Sequence, residues 1–148
     1  MTYKLANRVH KVQPSFTLQM ATRAAEMRDE GIDVINFSVG EPDFNTPSHI
    51  IAAGKKAMDD GFTKYTAGPG MIEFRKAICE KLERENGITY EPADILVSNG
   101  EKQSLYNVCQ ALFDEGDEVV VFRPYWVSFP EFVRLADAEP VLVETIAE

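Results

Sequence analysis

The stretch ILVSNGEKQSLYNVCQALFDEGDEVVVF, residues 95–122, decides the fold because it reads as strand, helix and strand in succession. Its first three residues form a continuous apolar run, and a second apolar run follows at 118–122. Between them, residues 102–113 have the apolar spacing of a helix. Continuous apolar strands separated by helices are typical of a parallel sheet that is covered on both faces. We therefore predict an α/β fold.

The alternation of predicted strands and helices continues toward the end of the chain. The pattern predicts a helix over 129–136 and a further strand over 141–146, which completes a βαβαβ unit with right-handed crossovers. The chain stops directly after this strand, at Ala147 and Glu148, without a helix to cover the sheet. We expect from this a truncated polypeptide with an exposed sheet edge.

The first 90 residues are predicted to be mainly helical. A helix is expected over 16–29 with Ser15 as its cap, followed by an alternating, β-branched strand over 32–37. Thr46-Pro47 has the pattern of a cap followed by a first helical residue and predicts a second helix. A third helix is expected to end at Gly87.

Composition excludes several classes of function. The 148 residues include 15 Lys and Arg against 24 Asp and Glu, a net charge of −9, which argues against a nucleic-acid or anionic-membrane partner. No stretch approaches the ~20 apolar residues of a membrane span, and the N-terminus has no apolar run of signal-peptide type. We expect a cytoplasmic location. The cysteines, Cys79 and Cys109, suit small buried hydrophobes, and no metal site is predicted.

The segment Ser98-Asn99-Gly100-Glu101-Lys102 is the best candidate for chemistry because it joins a predicted strand to a predicted helix. The amides of Gly100, Glu101 and Lys102 could hold a phosphate at the helix N-terminus, with the Lys102 ammonium neutralising it. The Glu101 carboxylate counts against an anion at this place. The alternative is that Asn-Gly only turns the chain and that Lys102 is solvated.

The only tryptophan, Trp126, follows the second strand of the predicted unit. Ligands of open α/β sheets bind beyond the carboxyl ends of the strands, and a flat ring there could stack on a flat ligand. The alternative is an aromatic residue of the core. Two loops, 39–44 and 64–70, carry more polar and aromatic residues than a turn requires. Neither loop by itself predicts a binding or catalytic site.

A series of short segments, in this order and spacing, resembles a known family. These are VINFSVGEPDF (34–44) with Thr46-Pro47, Lys64-Tyr65 with Gly68 and Gly70, Asn86-Gly87, Gly100 with Lys102-Gln103, GDEV (116–119) and PYWVS (124–128). They are similar to the N-terminal part of the pyridoxal-phosphate-dependent aminotransferases of fold type I, class I and II. The bacterial aspartate aminotransferase branch is the most similar, and the likeness covers nearly all of the chain.

The resemblance implies roles for the cofactor-binding residues. In similar enzymes the backbone around Gly100, Glu101 and Lys102 holds the phosphate of pyridoxal 5'-phosphate, and the aromatic ring matching Trp126 stacks on the pyridine. The family commonly has glycine or alanine at the position of Glu101, so the contact there would rest on the backbone amide alone. The tyrosine matching Tyr65 reaches the phosphate of the other subunit, which implies a homodimer.

The resemblance also implies the substrates. The glycine matching Gly40 lies against the α-carboxylate, and residues matching Ser15, Thr17 and Lys102 approach the distal carboxylate in the aspartate-using branch. The implied reaction moves an amino group from aspartate, or a related acidic amino acid, to 2-oxoglutarate. An aromatic or prephenate-type substrate is the alternative within the family.

The resemblance further implies how the chain is divided. Residues 1–45 correspond to an N-terminal arm with a helix and strand of the small domain, and 46–148 to the first part of the cofactor-binding large domain. The family's Schiff-base lysine lies beyond residue 148, so no catalytic residue is assigned and the 148 residues alone are expected to be inactive. If they are the natural chain, a non-catalytic binding or assembly module is the alternative.

Overall fold

The computed structural model describes residues 3–146, which divide into two compact units. Unit one contains the chain up to Glu41 and the residues from Leu105 onward. Unit two is the continuous stretch Pro42–Ser104. In chain order the elements are α1 (Asn7–Lys11), α2 (Phe16–Asp29), α3 (Ser48–Asp59), α4 (Ile72–Asn86), a 3-10 turn (Pro92–Asp94), α5 (Glu101–Leu112), β1 (Glu118–Arg123), α6 (Phe129–Leu135) and β2 (Glu139–Glu144).

The two segments predicted from the family resemblance, 1–45 and 46–148, include residues that the structure does not describe. Met1 and Thr2 at one end, and Ala147 and Glu148 at the other, lie outside the described residues. The assignment of the segments to a small and a large domain stays a prediction.

Unit one is built on a parallel pair of strands, β1 and β2, which are joined by α6. Val120 lies opposite Val141, and Arg123 lies opposite Glu144, with which it forms an ion pair at the end of the ladder. The fold class is therefore confirmed as α/β with a small parallel sheet. A parallel pair requires a crossover connection, and α6 is the element that provides it.

The buried side chains of unit one lie mainly where helices cover one face of this sheet. Cys109 of α5, Val121 of β1 and Val133 of α6 border one apolar cavity and are all buried. Burial raises the pKa of the Cys109 thiol, which agrees with its prediction as a small buried hydrophobe. On the opposite face, Val120 and Phe122 are more than half exposed, so the described helices cover one side of β1.

The helices agree closely with the sequence patterns. The predicted helix over 16–29 is α2, and the Oγ of Ser15 caps it by accepting a hydrogen bond from the Leu18 amide at 3.4 Å. Gly87 ends α4 as predicted, in a left-handed conformation. The predicted cap at Thr46 is wrong. Pro47 is extended and occupies the cap position, where its carbonyl oxygen accepts from the amides of Ile50 and Ile51.

Two segments predicted to be strands, 32–37 and 95–97, are described by the structure but do not form strands there. The first has the right alternation, but Ile35 and Phe37 are 80% and 92% exposed and no neighbouring strand pairs with it in the described chain. Among the described residues, the backbone of the second bonds only to loop and turn residues: the Val97 amide donates to the Pro69 carbonyl at 3.0 Å, and the Ile95 amide donates to the Pro92 carbonyl at 3.4 Å. A strand needs a hydrogen-bonded neighbour, so an apolar or β-branched run alone does not produce one.

In unit two, the loop before α4 packs closely on residue 97. Gly70 has φ +100, and a Cβ built there would lie 2.8 Å from the Cβ and Cγ2 of Val97. The Gly70 amide also donates to the Ala67 carbonyl at 2.9 Å, which holds the turn. Only glycine combines this backbone conformation with so short a separation.

We predict that Gly70→Ala lowers the free energy of unfolding of the full-length protein that contains this chain by ~1–3 kcal/mol, because of backbone strain and the Val97 contact. Gly54→Ala is the matched control. Gly54 lies inside α3 with no atom within 4 Å of an added Cβ, so this change should stabilise by ~0.5–1 kcal/mol. Denaturant titration measures both, and equal effects would contradict the role given to Gly70.

Candidate functional site

The turn that leads into α5 is held by its own backbone and by one side chain. Gly100 has φ +80, and its amide donates to the Ser98 carbonyl at 2.9 Å. The Gln103 side chain folds back and accepts a hydrogen bond from the Asn99 amide at 2.6 Å. The Gly100 carbonyl then accepts from the Ser104 amide, at 3.4 Å, in the first turn of the helix. These bonds define the helix start at Glu101.

This turn has the chemistry of an anion site. The first amides of an α-helix have no acceptor within the helix, and its N-terminal end is electropositive. Beside them the Oγ of Ser98 is buried, and the described residues offer it no hydrogen-bond partner. A phosphate group would supply acceptors for such donors, so the residues present fit the phosphate of pyridoxal 5'-phosphate.

The structure refines which groups of the turn are suited to a phosphate. The Gly100 amide already donates to the Ser98 carbonyl, so it is less available to a phosphate than the amides that follow it. The main contribution of Gly100 to the turn is its left-handed backbone conformation. Glu101 and Lys102 are both exposed in the first turn of α5. The Lys102 ammonium favours an anion there, and the Glu101 carboxylate opposes it unless it is directed away.

Tyr65 lies in unit two, in the loop between α3 and α4. Its side chain is fully exposed. Nothing in the turns that flank it requires an aromatic residue. A phenol that stands clear of its own chain is suited to contact another molecule or subunit.

Trp126 lies in unit one, directly after β1. Its ring packs edge-to-face against Phe129 at 5.6 Å between centroids and against Phe132 at 6.2 Å. Both phenylalanines belong to α6, which orients the indole. With 37% of the residue exposed, the indole is accessible in the described chain, as stacking on a flat ligand would require.

Ser15 and the segment around Trp126 border the same cavity of unit one, of about 540 Å³. Its wall includes Ser15, Tyr125, Val127, Glu131 and Arg134. Thr17, in the first turn of α2, is half-buried. Gly40 is exposed, with no atom within 4 Å of an added Cβ, and it does not line this cavity.

The predicted site residues therefore fall into two groups. Unit two contains Tyr65 and the Gly100–Lys102 turn, and unit one contains Ser15, Thr17, Gly40 and Trp126. Within unit one, Ser15 is brought close to the Trp126 segment. The predicted roles of all these residues stay predictions.

Sequence reasoning missed an ion pair beside Ser15. Glu131 and Arg134 of α6 pair with each other, and their side chains are only 17% and 29% exposed. Glu131 also accepts a hydrogen bond from the Gln13 amide at 2.9 Å. The i, i+3 spacing is a visible signal for the pair, but no sequence pattern links Glu131 to Gln13.

Two structural features are absent from residues 3–146. No group of three or more His, Cys, Asp and Glu residues there could hold a metal ion. Nor is any helix in that range long and apolar enough to cross a membrane.

Comparison with known proteins gives consistent matches. The family described as Aminotransferase class I and II matches residues 32–147. The aspartate aminotransferase of Bacillus subtilis (strain 168) is 48% identical over 145 residues, which cover 98% of this chain and 37% of that protein. The aspartate/prephenate aminotransferase of Cereibacter sphaeroides is 50% identical over 139 residues, covering 94% and 35%.

Among solved structures, the aspartate aminotransferase from Thermus thermophilus with maleate superposes with a TM-score of 0.92 at 44% identity, covering 98% of this chain and 38% of that chain. This agreement confirms that the fold of the chain matches the N-terminal portion of aspartate aminotransferase structures. The chain spans about 37% of the length of the Bacillus relative.

Proposed function

The chain belongs to the family of class I and II aminotransferases, and we propose that the full-length protein moves an amino group from aspartate, or a related acidic amino acid, to 2-oxoglutarate. The observation that carries this proposal is the 48% identity to an aspartate aminotransferase over 98% of the chain. The Thermus structure supports it further, since maleate is a four-carbon dicarboxylate.

Pyridoxal 5'-phosphate is the cofactor we propose, as for other members of the family. When bound, it acts as an electron sink for the electrons released at the substrate α-carbon. The first turn of α5, from Gly100 through Glu101 to Lys102, would hold the phosphate, and the buried Ser98 hydroxyl supports this assignment. Trp126, oriented by α6, would stack on the pyridine ring.

Acidic substrates would be recognised by hydroxyl groups and one cation. Ser15 and Thr17 lie at the start of α2, where their hydroxyls and the Lys102 ammonium would approach the distal carboxylate. Gly40 would lie against the α-carboxylate, since a residue without a side chain permits a close approach. The partners are therefore an amino acid and a 2-oxo acid.

A homodimer forms part of the proposal. The full exposure of Tyr65 supports a contact with the cofactor phosphate of a second subunit. The acidic composition supports the expectation of no nucleic-acid or anionic-membrane partner. The cytoplasmic location stays a prediction.

A second candidate is prephenate, or an aromatic amino acid, as the substrate. The Cereibacter relative, at 50% identity, is named for both aspartate and prephenate. Aspartate and prephenate both present a carboxylate beyond the reacting group, so Ser15 and Thr17 do not by themselves decide between these two, whereas an aromatic amino acid has no such carboxylate.

The full-length protein, supplied with pyridoxal phosphate, should transfer amino groups from aspartate to 2-oxoglutarate in a coupled assay. The 148-residue chain alone should show no turnover above a cofactor-only control, because none of its lysines matches the family's Schiff-base lysine. Inactivity of the full-length protein toward aspartate, together with activity toward prephenate, would favour the second candidate.

Tyr65→Phe should weaken cofactor retention in the full-length protein and leave its folding unchanged. Loss of one hydrogen bond to a charged group is worth ~1.5–3 kcal/mol, which is roughly a tenfold or greater loss of affinity. Equilibrium dialysis measures this loss. Tyr90→Phe, at a half-exposed tyrosine of the same unit, is the matched control. Equal retention by both variants would leave Tyr65 without a cofactor role.

Lys102→Gln separates two roles of one side chain. If Lys102 also faces the distal carboxylate, kcat/KM at saturating cofactor should fall at least about tenfold more for aspartate than for alanine, since removing one partner of a desolvated charge pair costs ~2 kcal/mol or more. Lys76→Gln, on the exposed surface of α4, is the control. Equal losses for the two substrates would restrict Lys102 to the phosphate.

A further inference from the structure

We propose that Glu131 is a positioning residue for acidic substrates: it fixes the linker Val12–Ser15 between α1 and α2, and through the linker it places the hydroxyls of Ser15 and Thr17. This inference rests on the proposed function, which gives those two hydroxyls their substrate. Glu131 itself touches neither substrate nor cofactor in this scheme.

The contacts of Glu131 are suited to holding a backbone. Its Oε2 accepts a hydrogen bond from the Gln13 amide at 2.9 Å, and its Oε1 accepts from Nη1 of Arg134. Both carboxylate oxygens are therefore used. The Glu131 side chain is only 17% exposed and its bond to Arg134 is partly buried, so its carboxylate is held in a defined direction, with one oxygen meeting the Gln13 amide at the surface.

The linker itself has little other means of holding its shape. Its first three residues, 12–14, lie between the end of α1 and the cap of α2. Ser15 is joined to α2, because its carbonyl oxygen accepts a hydrogen bond from the Gln19 amide at 3.1 Å, so the direction in which the linker enters α2 also sets the position of Ser15 and Thr17. Pro14 has no amide hydrogen to donate. The amide of Gln13 is thus the nearest backbone donor before Ser15, and Glu131 is its acceptor.

A second contact holds the chain just before the linker. The Lys11 ammonium donates to Oδ1 of Asp137 at 2.8 Å, and this hydrogen bond raises the pKa of Lys11 and lowers that of Asp137. Asp137 follows α6 and has φ +62. Its side chain is 38% exposed, so we assign the main positioning role to the less exposed Glu131.

A displaced linker would affect the site directly. Ser15 is two residues from Gln13, and Ser15 and Glu131 border the same cavity. Small misplacements of groups that bind the substrate can cost up to ~100-fold in rate. Substrates without a distal carboxylate make no use of these hydroxyls and should be insensitive to the linker.

Glu131→Met in the full-length holoenzyme is the first test, because methionine keeps the length of the side chain and removes both acceptors. We expect KM for aspartate to rise about tenfold while kcat changes less than about twofold, as for lost ground-state binding. KM for alanine should stay unchanged. Glu131→Gln keeps one acceptor for Gln13 and should recover most of the loss.

The matched control is Glu26→Met. Glu26 also forms an i, i+3 pair with an arginine, Arg23, but in an exposed position of α2. It should leave KM unchanged for both substrates. Hydrogen exchange gives an independent measure: the peptide that contains Gln13 should exchange faster in Glu131→Met and at the original rate in Glu26→Met.

The double variant Ser15→Ala/Thr17→Val identifies the source of any failure. If it selectively raises KM for aspartate and adding Glu131→Met causes no further increase, Glu131 acts through the hydroxyls. If the hydroxyl variant is selective but Glu131→Met is not, the positioning role is wrong and the proposed function stands. If the hydroxyl variant is unselective, the substrate contact of the proposed function is wrong, and the positioning role falls with it.

Discussion

The burial of Val133 against the parallel pair β1 and β2 is the constraint on which unit one depends. Val133 is only 3% exposed, and it fixes the rotation of α6 about its axis. Once that face of the short helix is committed to the sheet, its remaining side chains have defined directions. Phe129 and Phe132 then contact the Trp126 indole, and Glu131 contacts the linker before α2. One apolar contact thus orients both the Trp126 indole and the linker before α2.

Local patterns predicted the helices well because their determinants lie within a few residues. The Ser15 hydroxyl bonds to an amide three residues away, and Gly87 ends α4 through its own backbone conformation. The formation of a strand also depends on a second segment with which it can pair. Residues 118–123 pair with β2, whereas 95–97 and 32–37 have similar side chains and no ladder in the described chain. Pairing is a property of two segments, and one segment cannot reveal it.

In the candidate site, too, local features could be predicted from the sequence and contacts between distant residues could not. The turn at Gly100 could be identified from the sequence, because a glycine between an apolar run and a helix is a local signal. Its internal bonds, such as the Gly100 amide to Ser98, required the structure. The roles of Tyr65 and Gly40 came from the family resemblance alone. The Glu131 contact to Gln13 joins residues 118 positions apart, and no periodicity or spacing indicates it.

The discontinuity of unit one has a consequence for the order of folding during synthesis. Pro42–Ser104 is a continuous stretch, so its contacts can form as soon as it leaves the ribosome. Unit one needs the chain up to Glu41 and the chain from Leu105 onward, and α1 and the linker have no contact with α6 until α6 has been translated. At ~5–20 residues per second, the N-terminal segment therefore waits several seconds for its partners. During that interval the Gln13 amide can hydrogen-bond only to water, because Glu131, its acceptor in the finished unit, has not yet been synthesised.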